Sequence, residues 1–265
     1  MGFNLPIEEE IDVTAKAGYQ GIEVWMFKIR QFLEKGGKAS ELKKRLSDNG
    51  LKLVNAISFP QWIVDDENER AKGLEQMKEE MGILAELDCR CIAAPASGAT
   101  GRKIESLEVC GKRYRTILEL GETQNVIPLL ELWGASATLS QLSDCVAIAV
   151  ATAHAQASLL LDAYHLYRGG NQFVSLAQVA GSSMHVFHIN DYPANPPREK
   201  LVDADRVYPG DGICPLVDIV KTLRKSGFGG VLSLELFNKT YWESGDPLSV
   251  AKTGLEKMQF LREAF

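Results

Sequence analysis

The sequence has no excess of basic residues, since 29 Lys and Arg stand against 35 Asp and Glu and the formal net charge is −6 at pH 7. Nucleic acids and anionic membranes bind basic surfaces, so this balance argues against both as partners. No apolar run approaches the roughly 18 residues of a membrane span. Residues 1–10 also lack the basic and apolar regions of a signal peptide, and a cytoplasmic protein is therefore expected.

Cysteine is scarce as well: the chain has five, an odd number, and they are scattered. No two pairs have the spacing of a zinc knuckle, and the pattern does not indicate a disulfide framework. We expect reduced thiols in the core of the protein.

What the sequence does contain is a regular alternation of short apolar runs and amphipathic stretches, which predicts an α/β fold of parallel βαβ units. The predicted strands cover residues 21–25, 51–58, 89–95, 127–133, 157–163, 184–190 and 231–237. The predicted helices cover residues 5–17, 38–48, 66–87, 104–118, 139–155, 174–180, 215–225 and 247–265. A TIM (β/α)8-type barrel needs about 250 residues, so we expect a single barrel domain over residues 1–265.

The pattern has one strand fewer than a closed barrel of this type. It begins with a helix near Leu5, and only residues 1–4 precede that helix. We therefore expect the first strand to be stunted or missing, or to be encoded upstream of Met1. A sheet edge left by a missing strand favours association, so either a monomer or a homodimer is expected.

Four of the predicted strands carry one metal-competent side chain near the C-terminal end. These side chains are Glu131, Asp162, His188 and Glu235. A carboxylate among apolar residues is costly to bury without a positive partner, and the C-terminal ends of barrel strands meet at one mouth. The pattern predicts one divalent-metal site, and Mn²⁺, Mg²⁺, Co²⁺ and Zn²⁺ all suit oxygen ligands with one imidazole. The alternative is that each acid is satisfied separately by an Arg, a Lys or a backbone amide.

Other polar residues are placed by their distance from these strand ends. His165 follows Asp162 by three residues, so we expect it above the site as a proton carrier or hydrogen-bond donor. The alternative for His165 is packing against a neighbouring tyrosine. His185 points to the opposite face of its strand from His188 and is expected behind the sheet. The long connection 191–214 is more typical of a functional loop than of an idle one.

Several short motifs, taken in their order and spacing, resemble the sugar phosphate isomerase/epimerase family. This is the xylose-isomerase-like TIM-barrel group that contains 2-keto-myo-inositol isomerase, tagatose 3-epimerase and hydroxypyruvate isomerase. The motifs are Ala17-Gly-Tyr-Gln-Gly-Ile-Glu-Val-Trp25, Leu130-Glu-Leu132, Leu161-Asp-Ala-Tyr-His165, His188-Ile-Asn-Asp191, Asp205-Arg-Val-Tyr-Pro-Gly-Asp-Gly212 and Leu234-Glu-Leu-Phe237. The resemblance extends over nearly the whole chain. The chain departs from the family in two places. It lacks the full first strand that the family usually has, and Asn190 stands where many members have Lys.

The resemblance implies a divalent-metal-dependent isomerase or epimerase of a ketose, inosose or related small polar sugar. The metal ligands that it implies are Glu131, Asp162, His188 and Glu235. The implied reaction is proton transfer through a metal-bound enediolate, with Glu131 and Glu235 also acting as acid and base. His165 and Arg206 are implied to face the substrate.

Two kinds of side chain have both a substrate-binding and a structural interpretation. Arg206 is expected to bind a hydroxyl, carboxylate or phosphate group, or else to pair with Asp203 or Asp205 and order its loop. Trp25 and Trp133 are expected to line the pocket against the C–H faces of a sugar, although barrel packing explains them equally well.

Other functions fit parts of the pattern. A lyase similar to 3-dehydroshikimate dehydratase would use the same barrel and metal site, because elimination also begins with proton abstraction beside a carbonyl. A DNA-repair barrel of the endonuclease IV type needs many more metal-binding histidines than the four present here. An inactive, truncated barrel that only binds is favoured by the missing strand, whereas the intact set of metal ligands favours an enzyme.

Overall fold

Seven parallel strands form one sheet in which every strand lies beside the next strand in the chain. The structure is a computed structural model and describes residues 4–243 and 246–264. The strands are β1 (Gly21–Trp25), β2 (Lys52–Ile57), β3 (Cys91–Ala94), β4 (Ile127–Glu131), β5 (Ser158–Asp162), β6 (Met184–Ile189) and β7 (Val231–Leu234). The predicted α/β fold is confirmed: the described residues form a TIM barrel that lacks one strand.

Helices alternate with the strands and cover the outside of the sheet. They are α1 (Ile7–Ala17), α2 (Met26–Glu34), α3 (Ala39–Asp48), α4 (Glu67–Glu86), α5 (Leu107–Gln124), α6 (Leu142–Ala151), α7 (Ala163–Arg168), α8 (Leu216–Lys225), α9 (Lys239–Glu243) and α10 (Pro247–Met258). The sequence pattern does not predict α2, α7 or α9. Helices α2 and α7 begin directly after β1 and β5, so no turn residue separates strand from helix.

The helices predicted over residues 104–118 and 139–155 are observed with shifted ends, as α5 and α6, and two other predicted helices differ more. The segment predicted as a helix over residues 174–180 is a 3₁₀ turn at Phe173–Gln178, whose first turn has no side-chain cap. The last helix ends at Met258 and is followed by a 3₁₀ turn at Gln259–Leu261. Phe265, the predicted end of that helix, lies outside the described residues.

The inside of the barrel is mostly apolar, and polar side chains gather at its mouth, where the C-terminal ends of the strands lie. Its apolar part consists of Ile57, Cys91, Ala93, Ile127, Leu129, Leu160 and Val186, and Trp25 packs against them from the end of β1. Side chains two residues apart on a strand share a face. Glu131 therefore lies above Leu129, and His188 lies above Val186, on the interior side. The alternation of the strands thus brings polar side chains to the C-terminal mouth.

A gap separates β7 from β1. Within the described residues β1 pairs with β2 alone, and β7 pairs with β6 alone. A groove of ≈ 1400 Å³ lies along the gap, lined by residues of β1, β7, α1 and α10. Strand β7 is half-exposed, whereas β3, β4 and β5 are buried along their whole length. The gap is where the missing strand of a closed barrel would lie.

All five cysteines are free thiols; four of them are buried and Cys214 is half-buried. The expectation of reduced core thiols therefore agrees with the structure. Among the described helices, none combines the length and the apolar character that crossing a membrane requires.

Candidate metal centre

The ends of four strands bring the predicted metal ligands to the same mouth. Glu131 and Asp162 are the last residues of β4 and β5. His188 is the penultimate residue of β6, and Glu235 directly follows β7. Because parallel barrel strands end at one face, these four side chains lie above the apolar interior.

Three of the four residues form a compact cluster. Asp162, His188 and Glu235 each offer a ligand atom, and these atoms lie within 4.8 Å of one another. His188 Nδ1 is 3.4 Å from Glu235 Oε2 and 3.8 Å from Asp162 Oδ2. Glu131 lies outside this three-residue cluster, although the charges of His188, Glu235 and Asp162 all act on its pKa.

The two glutamates differ in protonation. Burial raises the pKa of Glu131 to about 8, so this side chain is protonated at neutral pH. Burial also acts to raise the pKa of Glu235, but the positive charges of His188 and Arg206 hold it well below its usual range. Two carboxyl groups whose surroundings separate their pKa values are typical of an acid and base pair.

The donor atoms fit a divalent cation. Among the described residues, Glu131 Oε2 and His188 Nδ1 are buried polar atoms without a hydrogen-bond partner. Buried polar atoms are normally satisfied, so these two are free to bind a ligand. Carboxylate oxygens and one imidazole nitrogen suit the four divalent ions named above and do not select one of them.

Asp162 is oriented by its neighbours. Its Oδ1 accepts a hydrogen bond from the His165 backbone N–H at 2.7 Å, and its Oδ2 accepts one from Asn190 Nδ2 at 2.7 Å. Asn190 Oδ1 in turn accepts the Tyr164 N–H at 2.9 Å. Burial raises the pKa of Asp162 to about 6, against the opposing charge of Arg206. Asn190, where the chain departs from the family pattern, therefore fixes the side chain of a predicted ligand.

Arg206 is buried among carboxylates. Its Nη1 lies 2.5 Å from Glu235 Oε2 and 3.3 Å from Asp162 Oδ2. Its Nη2 lies 2.6 Å from Asp203 Oδ1 and 3.1 Å from His165 Nε2. The guanidinium thus forms the ion pair with Asp203 that the sequence offered as an alternative, and it also reaches two predicted metal ligands.

The connection 191–214 delivers Arg206 to the mouth, and Asp191 holds this loop in place. The Asp191 carboxylate accepts backbone N–H groups from Tyr192 and Cys214 at 2.8 Å and from Gly210 and Gly212 at 3.0 Å. A Cβ atom at Gly212 would lie 2.3 Å from Asp191 Oδ1, so only glycine fits there. The turn predicted at Pro209-Gly-Asp-Gly212 is therefore part of the loop's anchor.

His165 lies against Arg206 at the mouth. Its ring also packs on Tyr164, with centroids 5.2 Å apart. Burial and the charge of Arg206 hold the pKa of His165 well below its ordinary value, so the imidazole is neutral. Its Nδ1 is one of the buried atoms without a partner in the described part of the chain. Because Arg206 can only donate, His165 Nε2 is the acceptor of their contact, and the neutral ring can donate one further hydrogen bond from Nδ1.

A chain of aromatic rings flanks the cluster. The Trp25 ring lies 5.2 Å from Phe59 and 6.3 Å from Phe237, measured between centroids. The Phe59 ring lies 6.1 Å from Trp133, which also hydrogen bonds to Glu131. Both predicted tryptophans are therefore at the mouth, and Phe59 joins them.

One functional candidate, Glu23 on β1, is missing from the sequence prediction. Its oxygens lie 3.1 Å and 3.2 Å from His188 Nε2. The sequence pattern that identified the predicted ligands could also have identified Glu23, because Glu23 is a lone acid in an apolar strand. The remaining two histidines are not part of the cluster. His185 is half-buried, and His154 Nε2 lies 3.2 Å from Glu122 Oε1.

Comparison with known families gives this barrel its class. The family model described as "Xylose isomerase-like TIM barrel" matches residues 11–264. The chain therefore belongs to the xylose isomerase-like TIM-barrel family, in agreement with the resemblance seen in the sequence.

Among characterised relatives, the chain is similar to the inosose isomerase of Bacillus velezensis, with 27% identity over 98% of this chain and 96% of that protein. It is also similar to the 3-dehydroshikimate dehydratase of Pseudomonas aeruginosa, with 23% identity over 97% of this chain but 40% of that protein. These similarities support the predicted class of enzyme, a sugar isomerase or epimerase, more fully than they support a dehydratase.

Solved structures show the same fold. The IolI protein with a bound zinc atom superposes with a TM-score of 0.90 and 24% identity, over 99% of this chain and 95% of that one. An L-ribulose 3-epimerase superposes with a TM-score of 0.79 and 20% identity, over 97% of this chain and 89% of that one.

Proposed function

We propose that the protein is a divalent-metal-dependent isomerase or epimerase of a ketose, inosose or related small sugar. The observation that carries this proposal is the buried cluster of Asp162, His188 and Glu235, with Glu131 beside it, at the mouth of the barrel. The inosose isomerase relatives and the zinc-bound neighbour support it.

In the proposed site, the cation is held by Glu131, Asp162, His188 and Glu235. A divalent ion bound there would act as a Lewis acid and make a C–H group next to a carbonyl easier to deprotonate. The donor atoms of this chain suit Mn²⁺, Mg²⁺, Co²⁺ and Zn²⁺ and do not select one of these ions.

The proton is transferred by the two glutamates. Glu235 is the base, because its carboxylate is kept ionised by His188 and Arg206. Glu131 is the second proton carrier, because it lies beside the cluster and its Oε2 has no hydrogen-bond partner within the described residues. In the reverse reaction the two residues exchange roles, as a reversible proton transfer requires.

The substrate is oriented by groups around the cluster. Arg206 and the neutral ring of His165 offer hydrogen bonds to hydroxyl groups, and their contact at 3.1 Å places them side by side. Trp25, Phe59 and Trp133 form an apolar wall that suits the C–H faces of a sugar. This arrangement fits a small polar substrate with one apolar face.

The test is a proton NMR assay in D₂O on metal-loaded protein, with 2-keto-myo-inositol, D-fructose, D-tagatose and L-ribulose as substrates. We expect conversion of one of them to an isomer or epimer. Glu131→Gln and Glu235→Gln should each lower the rate by about 10²- to 10⁴-fold, the usual contribution of a general acid or base. Glu80→Gln is the control, since Glu80 is buried like Glu131 but bonds to Ser58 and Gln76 and pairs with Arg30. Failure of all four substrates with every metal would contradict the proposal and leave a dehydratase or a barrel that only binds.

A lyase is the second candidate, because the dehydratase relative aligns with 97% of this chain. Incubation with 3-dehydroshikimate distinguishes the two functions in the same assay. Loss of water from that compound, without conversion of any ketose or inosose, would favour the dehydratase.

A further inference from the structure

Glu23 holds the far side of the His188 ring. Both of its carboxylate oxygens lie near His188 Nε2, at 3.1 Å and 3.2 Å. The opposite nitrogen, Nδ1, is the one that faces Asp162 and Glu235. The imidazole therefore lies between Glu23 on one side and the three-residue cluster's carboxylates on the other.

Glu23 is itself fixed by two strands. Asn55 is the partner of Glu23 in the register of β1 and β2, and its Nδ2 donates to Glu23 Oε2 at 2.7 Å. Ser233 of β7 makes a second side-chain hydrogen bond to Glu23. Asn55 is fully buried, and the Glu23 side chain is 9% exposed. These two donors are neutral and fix the position of the carboxylate, while its oxygens still lie within hydrogen-bond distance of His188 Nε2.

This contact decides which nitrogen of His188 carries a proton. When the His188 ring gives up one proton to bind a cation, a carboxylate beside Nε2 keeps the N–H at that nitrogen, which leaves the lone pair on Nδ1. In the described part of the chain, Nδ1 is also the His188 atom that lacks a hydrogen-bond partner. Histidines that bind metals commonly donate their other N–H to a carboxylate, which fixes the ring and makes it a better ligand.

We propose that Glu23 is a positioning residue of the metal centre, which orients His188 and fixes its tautomer without binding the ion itself. The inference rests on the proposed function, because it assigns a role within the same site. It adds β1, on the other side of the gap, to the strands that build the centre.

The first test leaves Glu23 unchanged. In zinc-loaded wild-type protein labelled with ¹⁵N-histidine, we expect His188 to carry its proton on Nε2 and to have the nitrogen shift of a metal ligand on Nδ1. The signals are assigned by replacing His154, His165 and His185 with Gln one at a time. A proton on Nδ1 would overturn the inference.

The second test measures zinc affinity by calorimetry in Glu23→Gln, with Glu80→Gln as the control. A Gln side chain has the same size but no charge, and we expect affinity to fall roughly 10- to 100-fold, the usual effect of losing such a carboxylate. Glu80→Gln should bind zinc as the wild type does. A purely structural role would lower the unfolding temperature of Glu23→Gln and leave its zinc affinity unchanged.

The outcomes separate this inference from the proposal on which it rests. If the wild type binds zinc and Glu23→Gln binds it equally well, the role of Glu23 is wrong and the metal centre stands. If the wild type binds neither zinc nor manganese, the metal centre is wrong, and the role of Glu23 is wrong with it.

Discussion

Arg206 Nη1 lies 2.5 Å from Glu235 Oε2, so a cation supplied by the chain pairs with a proposed metal ligand. The same nitrogen is 3.3 Å from Asp162 Oδ2. Arg206 is almost fully buried, and removal of one partner from a buried ion pair leaves the other charge uncompensated. Arg206 therefore stabilises the acidic cluster as well as facing the proposed substrate.

This relationship predicts an effect of Arg206→Met on metal-free protein. We expect the free energy of unfolding to fall by about 3–5 kcal/mol, because Glu235 and Asp162 lose their positive neighbour. A divalent ion should restore much of this loss, so the metal-induced rise in Tm should be larger in the variant than in the wild type. Arg115→Met, which removes an exposed pair with Glu119, is the control. Equal metal-induced rises in wild type and variant would contradict the prediction.

The loop anchor predicts different effects at two glycines. Gly212→Ala should lower the free energy of unfolding by about 1–3 kcal/mol, the usual cost of forcing an extra methyl group into packed structure. The new Cβ would meet the Asp191 carboxylate, and the loop that carries Arg206 should also become more sensitive to proteolysis. Gly101→Ala is the control, since a Cβ there meets no described atom within 4 Å. Urea unfolding measures both variants, and equal stability of the two would show that the anchor is unimportant.

Metal binding should depend on pH through Glu131. Its pKa is raised from 4.5 to about 8, so the protonated form stabilises the metal-free fold at low pH, and this contribution is lost as the pH rises through about 8. A ligand carboxylate must be deprotonated, so affinity should rise about tenfold per pH unit up to pH 8. Glu131→Gln should remove this tenfold part of the dependence between pH 6.5 and 8 and leave the part that comes from the proton His188 loses on binding the ion, as calorimetry in that range would show. Wild-type affinity that is constant over the same range would contradict the assignment of Glu131.

The chain is predicted to unfold as one unit. A single domain over residues 1–265 should give one cooperative transition, with the same midpoint by far-ultraviolet circular dichroism and by tryptophan fluorescence. Two separate midpoints would instead indicate two domains.

The sequence predicts most of the fold because strand and helix periodicities differ and recur along this chain. Each buried strand is a short apolar run, and the prediction also finds the barrel one strand short. Two of the helices that it misses, α2 and α7, begin without a turn signal, as when Asp162 ends β5 and caps α7. Local pattern does not reveal such a direct change from strand to helix.

The candidate site is predicted only in part for a similar reason. Strand ends identify Glu131, Asp162, His188 and Glu235, because all four lie where a barrel places its functional groups. The position of Arg206 depends on how the connection 191–214 folds back, and that depends on contacts made by Asp191. The pairing of Glu23 with His188 joins residues 165 positions apart, which no local pattern contains.

The most direct test of the account is thermal unfolding of chelator-treated protein titrated with Mn²⁺, Mg²⁺, Co²⁺ and Zn²⁺, for the wild type and for Glu235→Gln. An ion that binds the folded state alone raises stability by mass action, by about 2.7 kcal/mol at a hundred times its Kd. For a chain of this size that is a rise in Tm of roughly 5–10 °C. The account predicts this rise in the wild type with at least one ion and a much smaller one in Glu235→Gln. If neither protein responds to any of the four ions, the metal centre at the mouth of the barrel does not exist.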